Sequence, residues 1–205
     1  MEEALRNIWT GITTSSPLDL ANLVLGITGV WLMIKRSLWA FPVGLVAVTV
    51  QGVLFWRATF YADAKLQVFF FVCLCYGWWH WTRDQGDASE LPVTALRWRT
   101  RAIYVAATAA LWLGWGSLQA AHTDATQPYR DTFIAAFSIA GQILQVRKHL
   151  ENWIAWIAVN TVAVIAYWSA DLAFTAFLYA VFLVMALLGL RDWRRAWKKE
   201  SVARG

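Results

Sequence analysis

The sequence is poor in charged residues, and the few that it has are unevenly distributed. Only 15% of the 205 residues are Asp, Glu, Lys or Arg, whereas 59% are hydrophobic. Ordinary soluble domains contain about 25% charged residues. Seven stretches carry no charged side chain: 20–34, 37–56, 66–82, 102–123, 132–146, 152–170 and 172–190. This pattern excludes a soluble globular domain and a disordered chain.

Each uncharged stretch has nearly the length of a membrane-spanning helix. A hydrocarbon layer of about 30 Å requires roughly 17–25 apolar residues per helix, and the two shortest stretches would use flanking residues to complete the span. We therefore predict an all-α integral membrane protein with seven transmembrane helices. The lipid bilayer is then the partner of most of its surface.

The basic residues lie at the ends of the apolar stretches, so the net charge of +5 does not indicate nucleic-acid binding. Counted over alternate loops, fourteen Lys and Arg residues fall on one side and four on the other. Loops rich in Lys and Arg stay in the cytoplasm. We therefore expect a multi-pass protein of the cell (inner) membrane, with its N-terminus outside and its C-terminus in the cytoplasm.

Cysteine and histidine are scarce, and neither forms a recognisable site. Cys73 and Cys75 are two positions apart on a predicted helix, so they point to different sides and cannot bridge to each other. We expect both to be small core residues. His80, His122 and His149 are isolated and lack metal-ligand spacing. Phosphate-binding loops and nucleophile motifs are also absent from the sequence. We predict no enzyme activity, no metal and no cofactor.

No Asp or Glu lies inside the seven uncharged stretches. Carboxylates within a membrane usually mark ion coupling or proton relays, so their absence argues against a proton- or sodium-driven pump. Asp19 and Asp131 open the first and fifth spans, where a carboxylate stabilises the free N–H groups of a helix. The pattern favours facilitated diffusion of a neutral or weakly charged solute.

The chain resembles itself when it is shifted by 112 residues. Between 19–81 and 131–193, 15 of 63 aligned positions are identical without a gap. The tryptophan and glycine matches include Trp81 with Trp193 and Gly77 with Gly189. Three helices therefore repeat on either side of one connecting helix, and a single connector leaves both triplets in the same orientation. Such parallel repeats are typical of transporters, which bind substrate between the halves near the midplane.

This repeat predicts a 3+1+3 organisation of the chain. The predicted segments are an extracellular or periplasmic N-terminal segment (1–16), a first triple-helix repeat (17–82), a cytoplasmic loop (83–101), a connector helix (102–123), a second triple-helix repeat (129–193) and a basic cytoplasmic tail (194–205). No soluble output domain is present, which weakens the alternative of a non-transporting receptor or assembly protein with seven helices. That alternative stays open.

Two predicted helices combine tryptophans with an amide on one face. These faces hold Gln67, Phe71, Leu74, Trp78 and Trp81 in the third span, and Trp153, Trp156, Asn160 and Tyr167 in the sixth. Tyr179 belongs to the last span. A flat heterocycle suits such a face, because rings stack on it and the amide bonds its edge. A cationic ring gains further from the indoles. Gln67 and Asn160 also suit hydrogen bonds between helices. We expect Trp81 and Trp193 in the interfacial belt.

Three segments resemble the PnuC family of nicotinamide riboside transporters. They are YADAKLQVFFFVCLCYGWWHW (61–81), RKHLENWIAWIAVN (147–160) and LYAVFLVMALLGLRDW (178–193). The order of LQVFFF, YGW, ENW-x-x-W and G-x-x-x-W is specific, and the resemblance extends over roughly residues 17–195. The family fold is a 3+1+3 bundle similar to the SWEET sugar transporters.

The resemblance implies a function, an assembly and a binding site. It implies facilitated diffusion of nicotinamide riboside, trapping of the product by a cytoplasmic kinase, and a homotrimer. The substrate contacts that it implies are Gln67, Trp78, Trp153, Trp156, Asn160 and Tyr179. Ala47 and Leu74 depart from the family, which often has asparagines there, and a lost amide alters substrate choice. Relatives resemble transporters for thiamine, riboflavin and deoxynucleosides. Thiamine, a cationic aromatic ring without ribose, is the second candidate.

Overall fold

The computed structural model describes residues 2–14, 16–83 and 91–202, and these residues form eight α-helices. The helices are α1 (Glu2–Thr14), α2 (Pro17–Ile34), α3 (Ala40–Arg57), α4 (Tyr61–Arg83), α5 (Trp98–His122), α6 (Pro128–Val146), α7 (Asn152–Ser169) and α8 (Ala173–Val202). Each of the seven uncharged stretches coincides with one of α2–α8. The all-helical prediction is confirmed, but the helix count is one higher than predicted.

The additional helix, α1, lies in the segment predicted only as an N-terminal extension. It has 13 residues, so it is about 20 Å long and too short to cross a 30 Å hydrocarbon layer. It packs against α8, where a Cβ added to Gly11 would lie 2.5 Å from the Phe174 ring. The sequence analysis searched for long apolar stretches, which is why it missed a short helix of mixed composition.

The helices of the membrane region differ in how apolar they are. By length and mean hydropathy, three described helices are apolar enough to cross a membrane: α2, α3 and α8. The most apolar windows of these three have mean hydropathies of 1.6, 1.4 and 2.4. The helices α4–α7 are uncharged over comparable lengths, but they carry more amide, hydroxyl and tryptophan side chains. Such side chains inside a bundle are candidates for contacts with a solute.

The helix ends in the two halves of the chain correspond at a spacing of 112 residues. Helix α3 covers Ala40–Arg57 and α7 covers Asn152–Ser169, an identical span in the two numberings. The turns between helices also correspond. Their left-handed residues are Arg36 with Lys148, both at φ 58°, and Thr59 (φ 64°) with Asp171 (φ 58°). Residues other than glycine rarely adopt this conformation, so its recurrence at both pairs shows that the two halves end their helices in the same way.

The two aspartates that open α2 and α6 bind different partners. Asp19 forms a capping box with Ser16: its backbone N–H donates to Ser16 Oγ at 3.2 Å, and the Ser16 backbone N–H donates to its Oδ2 at 3.2 Å. Such a box satisfies two free N–H groups at the helix start. Asp131 instead accepts a hydrogen bond from Arg130 Nε at 2.9 Å. The predicted capping role is confirmed for Asp19.

Six helices form a closed ring. Helix α3 packs between α2 and α4, and α7 packs between α6 and α8. The two triplets then meet at two seams, α4 against α6 and α8 against α2. Helix α5 packs on the outside of α6. The outer face of α4 is exposed at Val68, Val72 and Cys75, so the expectation that Cys75 is a core residue is wrong.

Four aromatic side chains close one end of the ring, and we call them the aromatic lock: Phe41, Trp81, Trp153 and Trp193. Phe41 meets Trp81 edge-on at 5.0 Å, Trp81 lies 6.1 Å from Trp193, and Trp193 meets Trp153 edge-on at 5.5 Å. All four are at most 2% exposed. Phe41 and Trp153, like Trp81 and Trp193, are 112 residues apart, so the lock follows the internal repeat.

Hydrogen bonds cross between the triplets at the lock. Trp81 Nε1 donates to the Val146 carbonyl at 2.9 Å, and Trp193 Nε1 donates to the Met33 carbonyl at 3.2 Å. Both carbonyls lie in the last turn of the first helix of the opposite triplet, where main-chain oxygens lack helical partners. The expectation that Trp81 and Trp193 belong to an interfacial belt is therefore wrong. Their N–H groups find acceptors inside the protein rather than in the headgroup layer.

A segment before α5 is strapped across the same end of the ring. Thr94 forms an isolated bridge with His149, with Thr94 N to Lys148 O at 3.1 Å and Leu150 N to Thr94 O at 2.8 Å. Glu151 Oε1 accepts from Leu96 N at 3.1 Å and from Arg101 Nε at 2.7 Å. The strap therefore joins the connector helix to the turn between α6 and α7.

Two glycines make the lock possible, which yields a stability prediction. A Cβ on Gly189 would lie 2.5–2.6 Å from the Trp153 ring, whereas a Cβ on Gly114 of α5 would meet nothing within 4 Å. We expect Gly189→Ala to lower the free energy of unfolding by about 1–3 kcal/mol, because it overpacks the lock. Gly114→Ala should leave stability unchanged or slightly raised. Thermal unfolding of the purified protein in detergent measures both, and equal melting temperatures would contradict the described packing.

The strap predicts a dependence of stability on pH. Burial lowers the pKa of the His149 imidazole, and the charges of Arg147 and His80 act in the same direction, while Glu151 opposes them. Because the folded protein then disfavours the protonated ring, stability should fall as the pH drops below about 6.5. His149→Gln should reduce this loss between about pH 7.5 and 5.5. The matched control is His122→Gln at the exposed end of α5. An identical pH profile for wild type and H149Q would show that His149 does not contribute.

Candidate functional site

The second triplet holds an indole and an amide side by side on the ring-facing side of α7. Trp156 Nε1 donates to Gln145 Oε1 of α6 at 2.7 Å. A Cβ on Gly141 of α6 would lie 3.3 Å from the Trp156 ring, so this glycine lets the indole lie close against α6. The ring is thus held in place by both contacts, as a surface for stacking a ligand requires.

Asn160 lies one turn along α7 from Trp156 and is 6% exposed. Its side chain makes no hydrogen bond to any residue that the structure describes. A buried amide without a partner carries an unfavourable free energy of about 1–3 kcal/mol. The interpretation of Asn160 as a bond between helices therefore finds no partner in the described part of the chain. Its amide is available to a solute.

Two tyrosines extend this face towards the other end of the ring. Tyr167 on α7 and Tyr179 on α8 stack with their ring centroids 5.2 Å apart and their planes at 17°. Tyr167 lies seven residues beyond Asn160, which is about 10 Å along the helix. Trp156, Asn160 and Tyr167 thus follow one face of α7, and Tyr179 joins it from α8.

Gln67 occupies the corresponding position of the first triplet, since residue 67 aligns with Tyr179 in the repeat. It is partly buried on α4. A Cβ on Gly52 of α3 would lie 3.4 Å from Gln67 Cβ, so Gln67 packs where α3 and α4 meet. The two triplets therefore present different polar groups, an amide and a phenol, at equivalent positions.

The remaining two predicted contacts are placed differently. Trp153 is 2% exposed and belongs to the aromatic lock, where it packs on Gly189. Its Nε1 has no hydrogen-bond partner among the described residues. Trp78 is 41% exposed, as is Phe71 on the same edge of α4. The structure therefore places Trp78 apart from the buried residues, although it shares a helix with Gln67.

Several polar residues of the ring escaped the sequence analysis. Asn22 Nδ2 on α2 donates to Gln51 Oε1 on α3, which closes one amide pair inside the first triplet. In the second triplet, Gln145 binds Trp156, and Gln142 is 6% exposed with its Nε2 unpaired among the described residues. The available signal was an amide within an uncharged stretch. It was missed because only amides that share a helical face with tryptophan were considered.

Two surface cavities lie away from these residues. One of 330 Å³ is lined by Val93, Thr94, Ala95, Trp197 and Ser201, beside the strap. Another of 260 Å³ is lined by Gln127, Arg130, Val162, Ile165, Ala166 and Ser169, where α6 begins and α7 ends. None of the six predicted contacts lines either cavity, so neither cavity marks the candidate site.

Comparison with known proteins places this arrangement among transporters. The chain is 28% identical over 186 residues to a riboflavin/roseoflavin transporter, RibM, of Streptomyces davaonensis, covering 89% of this chain and 87% of that protein. It is 27% identical over 175 residues to the nicotinamide riboside transporter PnuC of Escherichia coli, covering 73% of each. For PnuC of Haemophilus influenzae the identity is 23%, with 96% and 88% covered.

A solved structure shares the fold. The crystal structure of the vitamin B3 transporter PnuC matches 97% of this chain and 89% of its own chain, with a TM-score of 0.75 at 19% identity. The family model described as nicotinamide mononucleotide transporter matches residues 16–195, which include all of α2–α7 and most of α8. The prediction of a transport protein rather than an enzyme is confirmed, because the chain belongs to the nicotinamide mononucleotide transporter family of membrane proteins.

Proposed function

We propose that this protein transports nicotinamide riboside across the membrane by facilitated diffusion. The observation that supports this best is the pair formed by Trp156 and Asn160 inside the helix ring. The indole offers a stacking surface for the pyridinium ring, and a cationic ring gains from the indole face. The unpaired Asn160 amide offers both a donor and an acceptor to ribose hydroxyls. The names of the PnuC relatives point to the same substrate.

The architecture that we propose is a 3+1+3 arrangement of seven spans, with α2–α4 and α6–α8 as parallel repeats similar to those of the SWEET transporters. The corresponding helix ends and left-handed turns support the repeat. Helix α5 is the connector, and α1 lies outside the repeat. The proposed segments are therefore 1–16, 17–82, 83–101, 102–123, 129–193 and 194–205, of which 84–90 and 203–205 lie outside the described residues.

The distribution of Lys and Arg supports an orientation in the inner membrane. Fourteen of them belong to the side of the aromatic lock and four to the other side. In the proposed orientation the lock therefore closes the cytoplasmic end of the ring, and the N-terminus lies outside. Release into the cytoplasm requires the lock to open, as alternating access between two repeats demands.

Transport without ion coupling requires another way to retain the product. The spans contain no carboxylate that could carry a coupling proton, so the transporter equilibrates its substrate. We propose that a cytoplasmic kinase phosphorylates the nicotinamide riboside and so traps it. Following the family resemblance, we also propose a homotrimer, with no nucleic acid, metal or cofactor involved.

Riboflavin is a second candidate substrate. The riboflavin/roseoflavin transporter RibM is similar over a larger share of this chain than the E. coli nicotinamide riboside transporter, 89% against 73%. Leu74, where a family asparagine is common, is 6% exposed and packs against Gly44. An apolar contact there gives no hydrogen bond to a ribose hydroxyl, which weakens selection for nicotinamide riboside. Thiamine stays the alternative that the sequence analysis named.

Uptake into proteoliposomes tests the transport proposal. Labelled nicotinamide riboside should enter until its concentrations are equal on both sides, and a protonophore should not change the rate. Nicotinamide mononucleotide should compete poorly, because its phosphate finds no Lys or Arg within the uncharged stretches. Riboflavin and thiamine serve as competing ligands. Uptake against a gradient that a protonophore abolishes would contradict facilitated diffusion. Absence of uptake for all three vitamins, with ligand binding retained, would favour the receptor alternative.

Substitution of Asn160 tests the site. Asn160→Leu keeps the volume but removes donor and acceptor, so we expect substrate affinity to fall by about 1–3 kcal/mol, or roughly five- to 150-fold. The free energy of unfolding should change little, because this amide has no partner in the described part of the chain. Trp156→Leu should also weaken binding. The matched control is Trp78→Leu, which removes an exposed indole and should leave affinity unchanged.

Isothermal titration and thermal unfolding on the same purified variants supply the two measurements. Unchanged affinity in N160L, together with a lower melting temperature, would assign Asn160 to packing and remove it from the site. A loss of affinity in W78L equal to that in W156L would restore Trp78 to the site.

A further inference from the structure

Gln142 is the buried amide of the ring that no predicted role uses. It is 6% exposed, and its Nε2 is fully buried without a hydrogen-bond partner among the described residues. Buried polar groups in folded proteins are nearly always paired, because an unpaired donor lowers stability. A donor left unpaired inside a transporter therefore points to a partner that arrives from solution.

The neighbours of Gln142 on α6 show where its side chain points. Gly141 faces α7, where a Cβ would meet Ala155 and Trp156 at 3.3 Å. Val146 faces α4, where it would lie 2.8 Å from a Cβ on Gly77. Successive helix residues turn by about 100°, so Gln142 leaves α6 between these two sides. That direction is the interior of the ring.

Gln142 also lies at the same depth as Trp156. It is four residues before the end of α6, and Trp156 is four residues after the start of α7, so each is about 6 Å from the end of its helix. Asn160 is one turn deeper, at about 12 Å. A ring stacked on Trp156 therefore has its edge level with Gln142, while a sugar attached to it extends towards Asn160.

We propose that Gln142 is a specificity-determining residue whose Nε2 donates a hydrogen bond to a carbonyl oxygen on the edge of the substrate ring. This inference rests on the proposed function. The chemistry requires an acceptor, since the unpaired atom is a donor. The carboxamide of nicotinamide riboside supplies one, as do the ring carbonyls of riboflavin, whereas thiamine carries no carbonyl group.

A cycle with two ligands and two proteins tests this contact. The ligands are nicotinamide riboside and pyridine riboside, which lacks the carboxamide, and the proteins are wild type and Gln142→Met, which keeps the length of the side chain without its donor. Wild type should bind nicotinamide riboside roughly tenfold more tightly than pyridine riboside. In Q142M the two ligands should bind equally, because the two changes remove the same bond. Gln142→Leu is measured in the same way if the methionine variant fails to fold.

Melting temperatures without ligand separate this role from a structural one. Removal of an unpaired donor should leave Q142M as stable as wild type or more so, whereas loss of a structural contact would lower stability. The matched control is Gln119→Met: Gln119 also has a buried unpaired atom, its Oε1, but lies on α5 outside the ring. Q119M should not alter binding of either ligand.

The outcomes distinguish the contact from the proposed function. Failure of wild type to bind nicotinamide riboside contradicts the proposed function, and titration with riboflavin then tests the second candidate. Tight binding by wild type with additive losses in the cycle overturns the Gln142 contact and leaves the proposed function intact. Unchanged affinity in Q142M for both ligands also overturns it.

Discussion

The crossed contacts of the aromatic lock hold the two triplets together. The third helix of each triplet supplies a tryptophan, Trp81 or Trp193, whose N–H donates to a carbonyl near the end of the first helix of the other triplet. The bonds lie at the seams α4–α6 and α8–α2, the two places where the ring joins its halves. Gly77 and Gly189 are required beside them, because any Cβ there would meet a ring of the lock. The position of every other ring helix depends on these two seams.

The energy of the lock suits an element that must open. Two neutral hydrogen bonds contribute about 0.5–1.5 kcal/mol each, and three aromatic contacts contribute about 0.5–1.5 kcal/mol each. These sums amount to a few kcal/mol, the range in which a ligand can shift an equilibrium between two conformations. In the proposed transport cycle, the ligand therefore does not need to supply more than ordinary binding energy. Lys148, whose Nζ lies 4.3 Å above the Trp81 ring, adds a cation–π contact that must also separate.

The sequence predicted the helices well and the sides of the helices poorly, for one physical reason. Helix positions depend on the length of uncharged stretches and on the repeat, and both are visible in the chain. The side that faces lipid and the side that faces the bundle are both apolar, so periodicity alone cannot separate them. Trp78 and Trp81 were assigned to one face, yet one is 41% exposed and the other 1%. What separates them is a neighbour on another helix, the Val146 carbonyl, and no local pattern reports such a neighbour.

The repeat builds a symmetric frame around an asymmetric set of polar groups. Trp156 aligns with Gly44, Asn160 with Val48 and Gln142 with Val30, so the second triplet carries the indole and both unpaired amides while the first has small or apolar residues. At Gly44 the space is taken by Leu74, which lies 3.2 Å from the position of an added Cβ. A ligand that binds between the triplets therefore meets polar groups mainly on one wall. A two-fold frame alone would accept two equivalent orientations of a substrate, and this asymmetry selects one, with the ring edge near Gln142 and the sugar towards Asn160.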